Sequence, residues 1–200
     1  MRKRAVRLIF LILLGWSFFS FASQATKLLE KADKNWQKRS NRYCLERSKE
    51  LYLEAYKLDP LSYETNWRLC RFFVYLADIL DEKDKAQRKK KTSYAKTAIS
   101  YGEKAVELDP CGIEGHYYLA LAIGQYSLGI SVIKALRKGL GSKFLKHINF
   151  VLEKKEDFEK GGPLRAIGRY WYKLPWPKRD LKKSLFYLKK AAFIAPRNVR

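Results

Sequence analysis

Histidine, cysteine and acidic residues are scarce in this chain, and each scarcity removes a class of function. The only two histidines, His116 and His147, have no cysteine or carboxylate at ligand spacing, so no metal site is indicated. Neither belongs to a nucleophile and base pair, and the chain reads as a non-enzyme with no catalytic residue, cofactor or metal. The three cysteines, Cys44, Cys70 and Cys111, cannot all pair, which leaves at least one thiol free. A Cys44–Cys70 bridge is disfavoured by helix geometry. Cys44 lies further before the turn at Pro60 than Cys70 lies after it, a mismatch of about 9 Å at a rise of about 1.5 Å per residue, and a disulfide closes only within about 7 Å between Cα atoms. Cys70 is expected to be a buried small residue and Cys111 an exposed turn residue. Gly161-Gly-Pro163 lacks the Gly-Lys-Ser/Thr ending of a phosphate loop, and Pro163 reads as the first residue of a helix. The paired carboxylates Asp81-Glu82 and Glu156-Asp157 sit among lysines and read as solvated surface. Period-two alternation is absent, so no strand is expected.

What the chain has in excess is positive charge. Forty-two Lys and Arg face 20 Asp and Glu, a formal net charge of +22. From Gly161 to Arg200 eleven basic residues accompany one acid, Asp180. Such a surface attracts polyanions through steering and counterion release. The amino terminus qualifies which polyanion. Arg2, Lys3, Arg4 and Arg7 precede an apolar stretch from Leu8 to Phe21, and Ser20-Phe-Ala22 or Ser23-Gln-Ala25 offers a cleavage site. Residues 1–22 therefore read as a signal peptide, with cleavage after Ala22 or Ala25, leaving 23–200 as the mature domain in the periplasm or outside the cell. A retained membrane anchor is the alternative, although the run is shorter than the ~20 residues a spanning helix needs. For an exported chain the anions in question are lipid head groups, acidic polysaccharide, an acidic protein partner or an anionic solute, and not nucleic acid.

The chain also repeats itself. Leu51-Tyr-Leu-Glu-Ala-Tyr-Lys-Leu-Asp-Pro60, Tyr101-Gly-Glu-Lys-Ala-Val-Glu-Leu-Asp-Pro110 and Tyr187-Leu-Lys-Lys-Ala-Ala-Phe-Ile-Ala-Pro196 each place a small residue five positions before a proline and an aliphatic two before it. Each is an amphipathic helix that ends at its proline. The segments after the first two prolines also correspond, Tyr63-Glu-Thr-Asn-Trp-Arg-Leu-Cys70 with Ile113-Glu-Gly-His-Tyr-Tyr-Leu-Ala120, so one unit contains two helices. Two stretches look like insertions: the charged run Leu80 to Lys91, and the glycine-containing Gly129 to Ser142. Because Val199-Arg200 falls where another helix would begin, the last apolar face is expected to lie open to a partner, a second copy or further chain.

These residues resemble the tetratricopeptide repeat (TPR), with its Leu-Gly pair read as Leu69-Cys70, Leu119-Ala120 and Ile167-Gly168. The characteristic Trp is replaced by Asn66, His116 and Leu164. The resemblance implies an all-α fold, a right-handed solenoid of about four TPR-like helix-turn-helix repeats with insertions. It also implies a concave ligand face built from Glu64, Trp67, Arg71, Val74 and Tyr75 in one repeat, Glu114, Tyr117, Leu121 and Gln125 in the next, and Gly162, Arg165, Arg169, Tyr172 and Lys173 in the third. Within that face the groove is expected to be Trp67, Arg71, Tyr117, Arg165, Arg169, Tyr172 and Lys173, where arginines and aromatics suit an anionic group on an apolar body. The stretch Gly161 to Pro175 with Asp180 to Ala191 is similar to exported bacterial proteins of the TRAP transporter T-component group, and also to the regulator-of-microtubule-dynamics group. The resulting expectation is an exported scaffold that binds a protein or peptide through its concave face. Its alternatives are a TRAP accessory subunit that docks a substrate-binding protein and holds a small anionic or apolar ligand, and a basic surface for envelope lipid or polysaccharide.

Overall fold

A computed structural model describes residues 23–196, and the chain there is all-α. Nine helices occur among the described residues: α1 (23–37), α2 (Arg42–Leu58), α3 (Tyr63–Asp78), α4 (Lys85–Leu108), α5 (Ile113–Ile130), α6 (Val132–Arg137), α7 (Leu140–Lys155), α8 (Phe158–Lys173) and α9 (Leu181–Ile194). No strand is present among them. The proposed signal segment, residues 1–22, lies outside the described residues.

The described residues divide into two compact units, one up to Leu69 and one from Cys70 onward, with the boundary inside α3. In the first unit Ala32, Tyr52 and Ala55 are fully buried. Asp33 of α1 ties this unit together: it accepts from Tyr52 Oη at 2.6 Å and pairs with Arg68 at 2.8 Å. Asn41 caps α2 by accepting from the Cys44 N–H at 3.2 Å, which satisfies one of the free donors at the helix start.

The second unit stacks its helices in chain order, α4 on α5, α5 on α7, α7 on α8 and α8 on α9. At the centre, α5 is buried continuously from Gly115 to Ala120. The small residues expected at packing positions are there: Cys70, Ala105, Ala120 and Ala191 are all essentially inaccessible. Gly102 is required by close approach, since a Cβ there would come within 3.0 Å of both Cys70 Sγ and Leu119 Cβ. Gly168 plays the same part against Leu188 of α9, at 2.8 Å.

The repeated phrase has repeated geometry. Helices α2, α4 and α9 end at Leu58, Leu108 and Ile194, each two residues before its proline. At the first two turns the Asp closes the helix with its own N–H, Asp59 to Ala55 at 3.0 Å and Asp109 to Ala105 at 2.9 Å. The same side chains then accept from Leu61 and Cys111, at 3.1 and 3.0 Å. Asn66 and His116, which stand where the repeat consensus has Trp, both bond the carbonyl of the turn proline, at 2.9 and 3.1 Å. A polar bond to the turn therefore replaces the packing of an indole.

The two insertions are more ordered than their composition suggests. The charged run does not form a linker up to Lys91: Asp84 caps α4 through the Gln87 N–H at 2.6 Å, so residues from Lys85 onward are already helical. Within the second insertion, Val132–Arg137 forms the short α6. Inside the first turn of α8, Glu159, Lys160 and Gly161 are left-handed, at φ 48°, 57° and 74°, and helical backbone resumes at Gly162-Pro163.

Candidate functional site

The second unit contains an apolar pocket framed by α5, α6, α7 and α8, enclosing about 780 Å³ including its open mouth. Most of that is open to solvent; the enclosed part is about 130 Å³, smaller than the about 300–1,000 Å³ of typical small-molecule sites. Its walls follow from helical spacing. Leu121 and Leu128 come from α5, Val132 and Leu136 from α6, and Leu140 and Phe144 from α7. Phe144 stacks on Tyr170 of α8 with ring centroids 5.0 Å apart and planes 14° apart, which forms one rigid wall. Gly141 lets α7 approach this wall, since a Cβ there would lie 3.0 Å from Tyr170 Oη.

The polar part of the pocket is cationic. Arg169 and Lys173, four residues apart on α8, line it together with Gln125 of α5. Lys173 Nζ pairs with Glu82 at 2.9 Å, and Lys91 Nζ stands 4.0 Å from the other oxygen of the same carboxylate. Lys91 also donates to Gln125 Oε1 at 3.0 Å, and the Gln125 amide donates to Asp78 at 2.6 Å. Lys91 is only 3% exposed. Burial lowers its pKa, with Glu82 and Asp78 opposing that shift and Arg169 and Lys173 reinforcing it. One carboxylate, Glu82, thus serves two lysines, while Arg169 makes no ion pair among the described residues. An anionic group entering the mouth would find Arg169 open and Lys173 held by an exchangeable surface ion pair.

The seven expected groove residues are divided between the two units. Trp67 belongs to the first unit, where it is 9% exposed, donates to Glu64 at 3.1 Å and lies under the Arg68 guanidinium at 4.2 Å. The other six are in the second unit. Arg71 is half-buried on α3. Tyr117 is buried edge-on to Phe158 at 5.2 Å, and burial pushes its hydroxyl pKa up. Arg165 braces the left-handed turn at the start of α8, donating to the carbonyls of Lys160 at 2.5 Å and Glu159 at 3.0 Å. Tyr172 is exposed, with the Arg179 guanidinium 5.9 Å from its ring. Only Arg169 and Lys173 meet at the pocket, along with Leu121 and Gln125 from the wider face. Phe144, Tyr170 and Glu82 were not legible as site residues. The i, i+1, i+4 spacing of Leu140, Gly141 and Phe144 marks a packed face but not what it packs around.

The histidines hold each other. His116 is buried and donates through Nε2 to the Pro110 carbonyl, so its Nδ1 is an acceptor and takes the Nδ1–H of His147 at 3.0 Å. All three thiols are free: Cys70 is buried, Cys111 exposed and Cys44 intermediate. No cluster of three metal-ligating side chains occurs among the described residues. Nor is any described helix long and apolar enough to cross a membrane.

The family model of regulator of microtubule dynamics protein 1-3 matches residues 28–192, most of the chain. The chain belongs to this family. That match overturns the assignment to the tetratricopeptide family and to the TRAP T-component group, and with it the reading as an exported concave-face scaffold, a transporter accessory subunit or a basic coat for envelope polymers. The physical reason for the error is that a buried small residue, an aliphatic and a turn proline report helix packing, which unrelated helical-hairpin families share. No curated protein matches the chain.

Proposed function

We propose that this member of the regulator of microtubule dynamics protein 1-3 family is a non-enzymatic binding protein whose second unit holds an amphiphile in the α5–α8 pocket. The ligand class is a single apolar tail with one anionic head. The observation that carries this reading is the pairing of an apolar chamber with Arg169 and Lys173 at its polar end. Leu128, Leu136 and Phe144 would cover the tail, gaining about 25 cal/mol per Å² of apolar surface removed from water. The head would bond the fork of Arg169 and exchange with Glu82 at Lys173. Titration with a fluorescent long-chain carboxylate tests this: saturable binding is expected in the wild type. Ala135→Trp, which fills the chamber from α6, should weaken it about tenfold or more while the circular dichroism spectrum stays helical. Equal binding by both proteins would refute the reading.

The family description and the net charge of +22 favour a second reading, that the protein contacts the acidic surface of a microtubule. Co-pelleting with polymerised tubulin should then occur at low salt and fade as salt rises. Export, expected from residues 1–22, excludes this contact in the cell. Amino-terminal sequencing of the native protein separates the two: a start at Ser23 or Thr26 leaves the cytoskeletal reading without a site of action, and a start at Met1 rules out cleavage.

A further inference from the structure

We propose that the outer face of α9 is a docking surface for an acidic amphipathic helix of a partner protein. Helix α9 packs on α8 through one side only, where Ser184 and Ala191 are buried and Leu188 meets Gly168. At 100° per residue the opposite arc carries Phe186 and Phe193 with Leu185 on its flank, and these are 62%, 88% and 54% exposed. Two phenylalanines and a leucine presented to water on one helix face form an apolar patch of the kind that marks an interaction site.

The charge on the same arc identifies the occupant. Lys182 and Lys189 fall between the apolar residues, both exposed and neither in an ion pair among the described residues. The other two lysines of the helix are engaged, Lys183 with Asp180 at 3.7 Å and Lys190 with Glu156, the cap after α7, at 2.5 Å. The helix contains no acidic residue. A covering surface must therefore bring apolar side chains and carboxylates interleaved at helical spacing, which is the pattern of an acidic amphipathic helix laid along α9. Two other occupants fit less well. A second copy would set lysine against lysine. A bilayer takes a continuous apolar face with its basic residues on the opposite or flanking side, whereas here lysines interrupt the apolar row and the remaining side of α9 is occupied by α8.

The whole protein, titrated with a labelled helical peptide of about five turns carrying Leu and Glu on one face, should bind saturably by fluorescence anisotropy. Lys182→Glu with Lys189→Glu should weaken that binding about tenfold or more and create binding to the matching Leu and Lys peptide. Phe186→Ser with Phe193→Ser should lose both, and because all four positions are exposed each variant should keep the wild-type melting temperature. Absence of saturable binding, or binding indifferent to the charge reversal, overturns the proposal. So does a concentration-dependent dimer abolished by the phenylalanine variant, which would assign the face to a second copy. Phosphatidylserine vesicles bound through these four residues in preference to the peptide would assign it to a bilayer and likewise overturn it.

Discussion

At the scale of single residues, the His116–His147 pair shows how an uncommon side chain is used for packing in place of chemistry. His116 is stacked on Phe150 with ring centroids 4.0 Å apart and bonded at both ring nitrogens, and burial lowers its pKa. Burial pushes the pKa of His147 down to about 4 from an ordinary 6.5, helped by His116 and by Lys146 and Lys143. Asp109 acts in the opposite direction on His116. A histidine whose folded pKa is depressed contributes stability that is complete above 6.5 and declines as pH falls towards 4, because the unfolded chain takes up the proton first. We expect the melting temperature of the wild type to fall across pH 6.5 to 4 more steeply than that of His147→Phe. Parallel curves would show that the pair does not couple folding to protons. The core role of His116 was legible from its place in the repeat. Its contact with His147 was not, since nothing local relates a residue of α5 to one of α7.

At the scale of elements, what the chain makes legible is where helices stop. Leu58-Asp59-Pro60 and Leu108-Asp109-Pro110 end their helices by a local mechanism, the closing N–H of the Asp and the proline two residues past the last helical residue. Starts were harder to read where composition misled. The lysine-rich run to Lys91 resembles a solvated linker, but Asp84 and Gln87, three apart, are the signature of a capped helix start. Asp84→Ala should cost about 1 kcal/mol, measured by urea denaturation, while Lys83→Ala on the same loop should cost nothing measurable. Equal effects would mean that the cap contributes little. Burial of Lys91 depends on Glu82 and Gln125, the latter on a different helix, and such non-local compensation leaves no periodic trace in a sequence. The same holds for the pocket, part of whose wall, Val132, Ala135, Leu136, Leu140 and Gly141, comes from α6 and the start of α7, inside a stretch that reads only as an insertion.

At the scale of the whole molecule, helical class and family are secure and they constrain function differently. The all-α architecture follows from apolar residues recurring at three and four, and it would have been the same for a scaffold, a carrier or an enzyme. The family match removes the scaffold and transporter readings, and in their place we propose the amphiphile site in the pocket of the second unit. Electrostatics across the molecule then carry the head-group assignment: an excess of cations surrounds one exchangeable carboxylate, Glu82, at the mouth of an apolar chamber. The most direct measurement is a calorimetric cycle comparing a long-chain carboxylate with the alcohol of the same chain length, in the wild type and in Arg169→Ala with Lys173→Ala. The account predicts that the wild type prefers the carboxylate by about 1.5–3 kcal/mol, the range of hydrogen bonds to charged groups, and that the double variant binds the two equally while keeping its affinity for the alcohol. A carboxylate preference that survives loss of both cations, or no binding of either compound by the wild type, would contradict it.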